Sequence, residues 1–249
     1  GNSKIKSIIS PTTGLDHIDL VAAKRNKVKV YHLRGQKRFL KEVSGTAELT
    51  MAIMLSLLRK IPQSFDAVKR GMWEPGPFRG NEVSKKKLGV VGCGRLGAKV
   101  SRVAIALGMD VFAYDPYIYR FPAGVTQVDS LTELLSTIDI LTLHIPLLSE
   151  TTHLISTKEI EKMKDEVVII NTSRGSIVST QALLDGLKKG KIKSAAIDVM
   201  EDEHSIKESG HALIDYANKY DNLLITPHIG GATYESVEKT DLFILKKYF

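Results

Sequence analysis

Several short apolar runs in this chain end on a residue that can handle a proton, a charge or a hydrogen bond. Asp115 follows Asp110 to Tyr114, and His144 follows Ile140 to Leu143. Asn171-Thr172-Ser173-Arg174-Gly175 follows Val167 to Ile170. Asp198 follows Ser194 to Ile197, with Glu203 five residues on, and Pro227-His228 follows Leu223 to Thr226. An imidazole titrates near neutrality, which suits it to proton exchange. A carboxylate beside it aims the ring and favours its charged form. An Arg can hold a carboxylate and a carbonyl oxygen in one fork. The chemistry that needs this set is hydride transfer to or from a carbon bearing oxygen, with the protein handling the proton and the negative charge.

The carrier of the hydride is read from a second pattern. Leu88-Gly89-Val90-Val91 runs into Gly92-Cys93-Gly94-Arg95-Leu96-Gly97, and Leu96, Val100, Val103 and Leu107 then recur on one helix face. Gly92 allows a tight strand-to-helix turn, Gly94 lets backbone approach a pyrophosphate, and Gly97 lets the helix pack closely on the sheet. The helix N-terminus turns N–H groups toward the phosphates. Asp115, eighteen residues after Gly97, can accept hydrogen bonds from both ribose hydroxyls and would repel a 2′-phosphate. The expected cofactor is NAD. Cys93 reads as a small packing residue in the turn.

These residues need an alternating framework. Beyond Asp115, strand candidates at 140–143, 167–170, 194–197 and 223–226 alternate with helix candidates at 131–136, 158–164 and 181–189. That alternation predicts an α/β fold with a doubly wound, mostly parallel sheet of the Rossmann kind. Ser156 and Glu159 form a capping box for the middle helix. Upstream, Ile5 to Ser10 and Val28 to His32 read as strands and Asp16 to Asn26 as a helix burying Ile18, Val21 and Ala22. Two strands and a helix are too little for a stable layered domain, so this lobe is expected to need residues upstream of Gly1 or the rest of the protein. Leu33 to Gly45 reads as a polar loop. Ala47 to Lys60 is apolar nearly all round and is expected to lie between lobes or subunits, which predicts a homodimer. The expected division is a partial substrate domain over 1–46, an NAD-binding domain with its connecting helix over 47–235, and a C-terminal helix over 236–249 that returns to the substrate domain.

The 249 residues are 43% hydrophobic, carry one Cys and have a net charge of +7. No apolar run reaches membrane-spanning length and no signal peptide opens the chain, so no membrane partner and a cytoplasmic location are expected. The positive charge is scattered over short runs such as Lys85-Lys86-Lys87 and Lys188-Lys189, and nothing resembles a recognition helix or zinc spacing. No specific nucleic-acid partner is expected. His17, His32, His153 and His211 read as surface or capping residues.

Taken together these motifs resemble the D-isomer-specific 2-hydroxyacid dehydrogenases from about Ile5 to about Lys239. The segments that carry the resemblance are Thr13-Gly14-Leu15-Asp16-His17-Ile18-Asp19, Thr46-Ala47-Glu48, Val91 to Gly97, Tyr114-Asp115-Pro116, Leu143-His144-Ile145-Pro146-Leu147, Asn171 to Gly175, and Thr226-Pro227-His228-Ile229-Gly230-Gly231. The resemblance implies a flavodoxin-like substrate domain, present in part, and a small 2-hydroxy or 2-keto acid as substrate. It implies Arg174 as the substrate-binding catalytic Arg, Glu203 as the catalytic Glu and His228 as the acid/base. Gly92, Gly94, Arg95, Leu96, Gly97, Asp115, His144 and Thr172 would line the cofactor. Asp198 would meet the nicotinamide carboxamide, and the amides of Thr13 and Gly14 would hold the substrate carboxylate. A homodimer is implied as well.

The sequence departs from the family pattern at three points. His204 follows Glu203 where the family has Pro, and Glu201 and Asp202 crowd the same segment, so Glu201 stands beside Glu203 as a candidate partner for His228. The family's substrate lobe extends several dozen residues upstream of the match to Ile5. The chain also ends soon after the returning helix. The rival reading is an NAD(H)-sensing binding protein of the same fold, like the corepressors that share it, with little or no turnover. An L-hydroxyacid enzyme fits less well, because more than eighty residues precede the glycine turn.

Overall fold

The computed structural model describes residues 5–206 and 210–249, in two compact units: Gly1–Gly45 with Gly231–Phe249, and Thr46–Gly230.

In the first unit, β1 (Ser7–Ser10) and β2 (Lys29–His32) pair in parallel across α1 (Leu20–Arg25). The helix starts later than the apolar pattern indicates, because Asp19 is its N-cap and accepts from Ala22 N–H at 2.8 Å. The buried residue is Ala23, while Val21 is 78% exposed. Residues 16–18 are not helical, so Ile18 cannot share a helix face with Val21, and the Ala23 carbonyl accepts from Val28 N–H just before β2. A short helix, α2 (Lys37–Leu40), interrupts the segment expected to be loop. Its basic residues mask Phe39 and Leu40, which pack with Leu33 and Ile244.

The second unit opens with α3 (Gly45–Leu58) and α4 (Ile61–Lys69). There follow β3 (Lys87–Val91), α5 (Arg95–Ala106), β4 (Asp110–Tyr114), β5 (Val125–Gln127), α6 (Leu131–Thr137) and β6 (Ile140–Leu143). The second half runs α7 (Thr157–Lys162), β7 (Val167–Asn171), α8 (Thr180–Lys189), β8 (Ile192–Ile197), α9 (Ala212–Ala217) and β9 (Leu223–Ile225). The last helix, α10 (Tyr234–Tyr248), belongs to the first unit, where Phe243 stacks on Phe39 at 3.9 Å.

Among the described residues the sheet order is β5-β4-β3-β6-β7-β8-β9, all parallel. The order reverses between β3 and β6, where a doubly wound sheet opens a crevice at the carboxyl ends of its strands. Strand β7 shows how the sequence makes two cores. Val167 and Ile169 point into one apolar cluster and Val168 and Ile170 into the other, so a continuous apolar run is buried on both faces. Strand β5 escapes the sequence pattern because it is three residues long, at the sheet edge, with Thr126 and Gln127 exposed.

Much of the all-apolar helix finds cover within its own unit, while Leu49 and Leu55 are only partly buried. Along α3, Met51, Ile53, Met54, Leu57 and Leu58 are buried in the cluster that holds Leu88, Val100 and Ile170. Further apolar surface is exposed on α4 and just beyond it. There Phe65 is 62% exposed and Trp73 85% exposed.

Candidate active site

The glycine turn has the geometry its residues require. Gly92 has φ +86°, and a Cβ there would lie 2.6 Å from Ile145 Cγ2 and 2.7 Å from the His144 carbonyl. A Cβ on Gly97 would lie 2.0 Å from the Gly92 carbonyl oxygen. Both positions exclude a side chain, which locks β3, the turn and α5 together. Gly94 is the N-cap of α5, and the space where its Cβ would stand is empty, so backbone is open to a phosphate. Arg95 and Leu96 form the first turn of α5, and burial lowers the Arg95 pKa. Asp115 accepts from Cys93 N–H through Oδ2 and from Tyr117 N–H through Oδ1, both at 2.9 Å, which ties the carboxylate at the end of β4 to the turn. This constellation fits an adenosine ribose and a pyrophosphate.

His144 directly follows β6, and its Nε2 lies 3.0 Å from Thr142 Oγ1. Burial pushes its pKa down to about 4, so the ring is neutral at physiological pH. Strand β7 ends in a knot. Asn171 Oδ1 accepts from Ser173 N–H and Oγ–H, and Asn171 Nδ2 donates to the Arg174 carbonyl at 2.9 Å. The Thr172 hydroxyl faces inward and meets Thr50 Oγ1 of α3 at 2.8 Å. The Arg174 guanidinium donates to the Ser173 carbonyl and lies near enough to His228 to act on its charge.

His228 is half-exposed with φ +54°, and its Nδ1 lies 2.6 Å from Glu203 Oε1. Left-handed backbone is uncommon for a residue other than Gly, although His adopts it more often than most. Asp198 holds it there. Its carboxylate, 1% exposed, accepts from Thr226 Oγ–H at 2.6 Å, Ile229 N–H at 2.8 Å and Gly230 N–H at 2.7 Å. Three bonds thus fasten the loop on both sides of His228.

The hydrogen bond that His228 donates to Glu203 raises the His228 pKa against the opposing effect of burial; the Glu203 charge adds to the rise and Arg174 works against it. Burial alone would raise the Glu203 carboxyl, but the His228 bond and charge and the Met200 N–H outweigh it and hold the pKa below the usual range. Glu201 is engaged elsewhere, with His153 and Thr180 N–H. His153 therefore has a carboxylate partner, where sequence gave it none.

Thr13 and Gly14 lie in the first unit, after β1. Thr13 is exposed, and Thr12 Oγ–H donates to the Gly14 carbonyl at 2.7 Å. The feature that the sequence did not reveal is the contact at Gly175, whose Cβ would lie 1.9 Å from the Met200 carbonyl carbon and 2.3 Å from Glu201 N. The Arg174 loop and the Glu203 segment touch there through backbone alone. Its one trace in the sequence is a Gly beside an Arg at a strand end.

Among the described residues no helix is long and apolar enough to cross a membrane. Residues 51–230 match the family model described as D-isomer specific 2-hydroxyacid dehydrogenase, NAD binding domain, so the cofactor is NAD. The chain is 39% identical over 236 residues to D-3-phosphoglycerate dehydrogenase of Methanocaldococcus jannaschii, covering 94% of this chain and 43% of that protein. It therefore spans less than half the length of that relative. It is 36% identical to hydroxypyruvate reductase of Thermotoga maritima, covering 98% of this chain and 77% of that one. The structure of D-lactate dehydrogenase from Aquifex aeolicus, solved with NAD and lactic acid, superimposes with a TM-score of 0.82 at 33% identity, over 97% of this chain and 74% of that one. With a family model matched across the dinucleotide unit and relatives of this identity, the chain belongs to the D-isomer-specific 2-hydroxyacid dehydrogenases.

Proposed function

We propose that this chain interconverts a D-2-hydroxy acid and its 2-keto acid, with NAD as the oxidant or NADH as the reductant. The observation that carries this reading is the pair formed by His228 and Glu203, 2.6 Å apart, with Arg174 beside it at the carboxyl edge of the sheet. When bound, the cofactor supplies or accepts the hydride. With Nδ1 committed to Glu203, His228 has Nε2 for the substrate. In reduction, Nε2–H donates its proton to the carbonyl oxygen, and in oxidation neutral Nε2 takes the proton back. Arg174 holds the substrate carboxylate in a fork and turns the reacting carbon one way. Glu203 keeps the ring aimed and favours its protonated form, without touching substrate.

The relatives named as acting on phosphoglycerate, hydroxypyruvate and lactate define the panel for the test: NADH oxidation with 2-keto acids bearing methyl, hydroxymethyl and phosphorylated hydroxymethyl groups. His228→Ala should lower kcat by about a hundredfold or more. Arg174→Ala should raise KM and lower kcat together, because the fork serves both ground and transition states. Glu203→Gln should move the alkaline limb of reduction to lower pH, since a His without its carboxylate loses its proton sooner. NADH binding with no turnover on any keto acid would refute the reading and leave the NAD-sensing alternative.

We also infer a homodimer, supported by the apolar face that α4 leaves uncovered at Phe65 and Val68 and by Trp73 beyond it.

A further inference from the structure

Glu203 reaches His228 from the stretch that follows β8. It opens a single 3₁₀ turn over Glu203–Ser205, preceded by Asp202 at φ +50°. A non-glycine residue held in left-handed backbone is costly and persists where its surroundings fix it. The surroundings here converge on Glu201. Its Oε1 meets His153 Nε2, and its Oε2 accepts from Thr180 N–H at 2.8 Å at the start of α8. Its backbone carbonyl accepts from His211 Nε2 at 3.1 Å.

The His211 ring also caps α9, with Nδ1 accepting from Leu213 N–H at 3.1 Å. One imidazole satisfies both bonds only as the neutral tautomer with its proton on Nε2. His153 is fixed in turn, with φ +51° and its N–H on the Ser176 carbonyl at 2.7 Å. The turn after β6, the first turn of α8 and the cap of α9 are thus all fastened to one residue, two positions before Glu203. The backbone contact at Gly175 closes the remaining side.

We propose that Glu201 is a positioning residue for the acid/base pair: anchored by His153, Thr180 and His211, it fixes the Met200–Glu203 segment so that Glu203 stays on His228. The inference rests on the function proposed above for that pair, and it gives distinct work to the two glutamates that the sequence leaves as rivals. Burial works to raise the Glu201 carboxyl, but the His153 and Thr180 bonds prevail and lower its pKa, so the anchor remains an acceptor at neutral pH. The charged groups that face His228 are Glu203, Arg174 and Asp198, and His204 acts on Glu203. None of these is removed when Glu201 is changed.

The test follows the His228 ring directly, by NMR titration of the protein without added cofactor, alongside steady-state keto acid reduction. Glu201→Ala should move the His228 midpoint down, in the direction of Glu203→Gln. It should lower kcat by about tenfold, less than the hundredfold that a full ångström of misplacement costs. KM for NADH should stay unchanged. His153→Ala, which removes one anchor at a half-exposed position, should give a smaller shift of the same sign and serves where Glu201→Ala folds poorly. In the Glu203→Gln background, adding Glu201→Ala should change neither the midpoint nor kcat further.

An unmoved His228 midpoint in both Glu201→Ala and His153→Ala overturns the proposal. So does a double variant whose losses multiply. The titration needs no turnover. A His228 that responds to Glu201 in a protein inert toward every keto acid would uphold the positioning and sink the proposed activity.

Discussion

Adding one methyl group at Gly175 should disable the proton-transfer pair while leaving cofactor binding intact. A Cβ at this position would sit 1.9 Å from the Met200 carbonyl carbon, 2.2 Å from its oxygen and 2.3 Å from Glu201 N. Carbon atoms in ordinary contact stand about 3.5 Å apart, so one backbone must retreat by about 1.5 Å. The Arg174 side is tied to the end of β7 through Asn171, whose Nδ2 holds the Arg174 carbonyl, so the strain falls on the Met200–Glu203 segment and on the Glu201 bonds that anchor it. A retreat of that size opens the 2.6 Å contact between Glu203 and His228. Gly175→Ala should therefore lower kcat for keto acid reduction by roughly a hundredfold and move the alkaline limb of the profile to lower pH. Overpacking should cost about 1–3 kcal/mol of stability. Dissociation of NADH should not change, because the glycine turn follows a different strand. Gly186→Ala is the control. Its Cβ would meet Ile192 Cδ1 at 2.5 Å, at the end of a side chain within the core. That variant should lose stability and keep its pH profile. A folded Gly175→Ala protein with kcat within about twofold of the parent and an unmoved profile would refute the argument, since a 1.5 Å displacement predicts far more.

Asp198→Asn places an N–H₂ where three donors converge, and losing bonds to a buried charge costs about 1.5–3 kcal/mol. Calorimetry should show Tm falling by roughly 3–10 °C, with kcat reduced as the His228 loop loosens. NADH should bind at least tenfold more tightly than NADPH, a difference of about 1.4 kcal/mol, and Asp115→Ala should narrow that gap mainly by weakening NADH. Equal affinities in the parent protein would remove Asp115 from the ribose site. Phe65→Glu together with Trp73→Ala should shift sedimentation from dimer toward monomer, and a parent protein that is monomeric at micromolar concentration would overturn the homodimer.

The glycine turn was legible because its residues are fixed by local sterics. No side chain fits at Gly92 or Gly97, and the strand and helix on either side follow from apolar periodicity over a few residues. The strand-end residues were legible for a related reason. A buried parallel strand is a continuous apolar run, so the first polar residue after it marks the sheet edge. Pairing across the fold was not legible in the same way. Glu201 and Glu203 differ by two positions in a segment without period, and only the structure separates the one facing His153 from the one facing His228. For Asp198 the resemblance implies a cofactor contact, and its three donors in its own chain, 28 to 32 residues away, were not legible. Helix α3 was legible as a helix, but the residues that cover it were not, because an all-apolar surface states that cover exists and not where it comes from.

The left-handed backbone at His228 restricts how this site can drift. At φ +54°, Val or Ile would clash and Ala would be strained, whereas Gly and Asn enter at little conformational cost. A lineage that gave up turnover and kept cofactor binding would lose the imidazole most readily to one of those two residues, with the loop still clasped by Asp198. The same asymmetry governs repair. His228→Gly leaves an unstrained loop and vacates the ring's place beside Glu203, so free imidazole should restore proton transfer to that variant better than to His228→Ala.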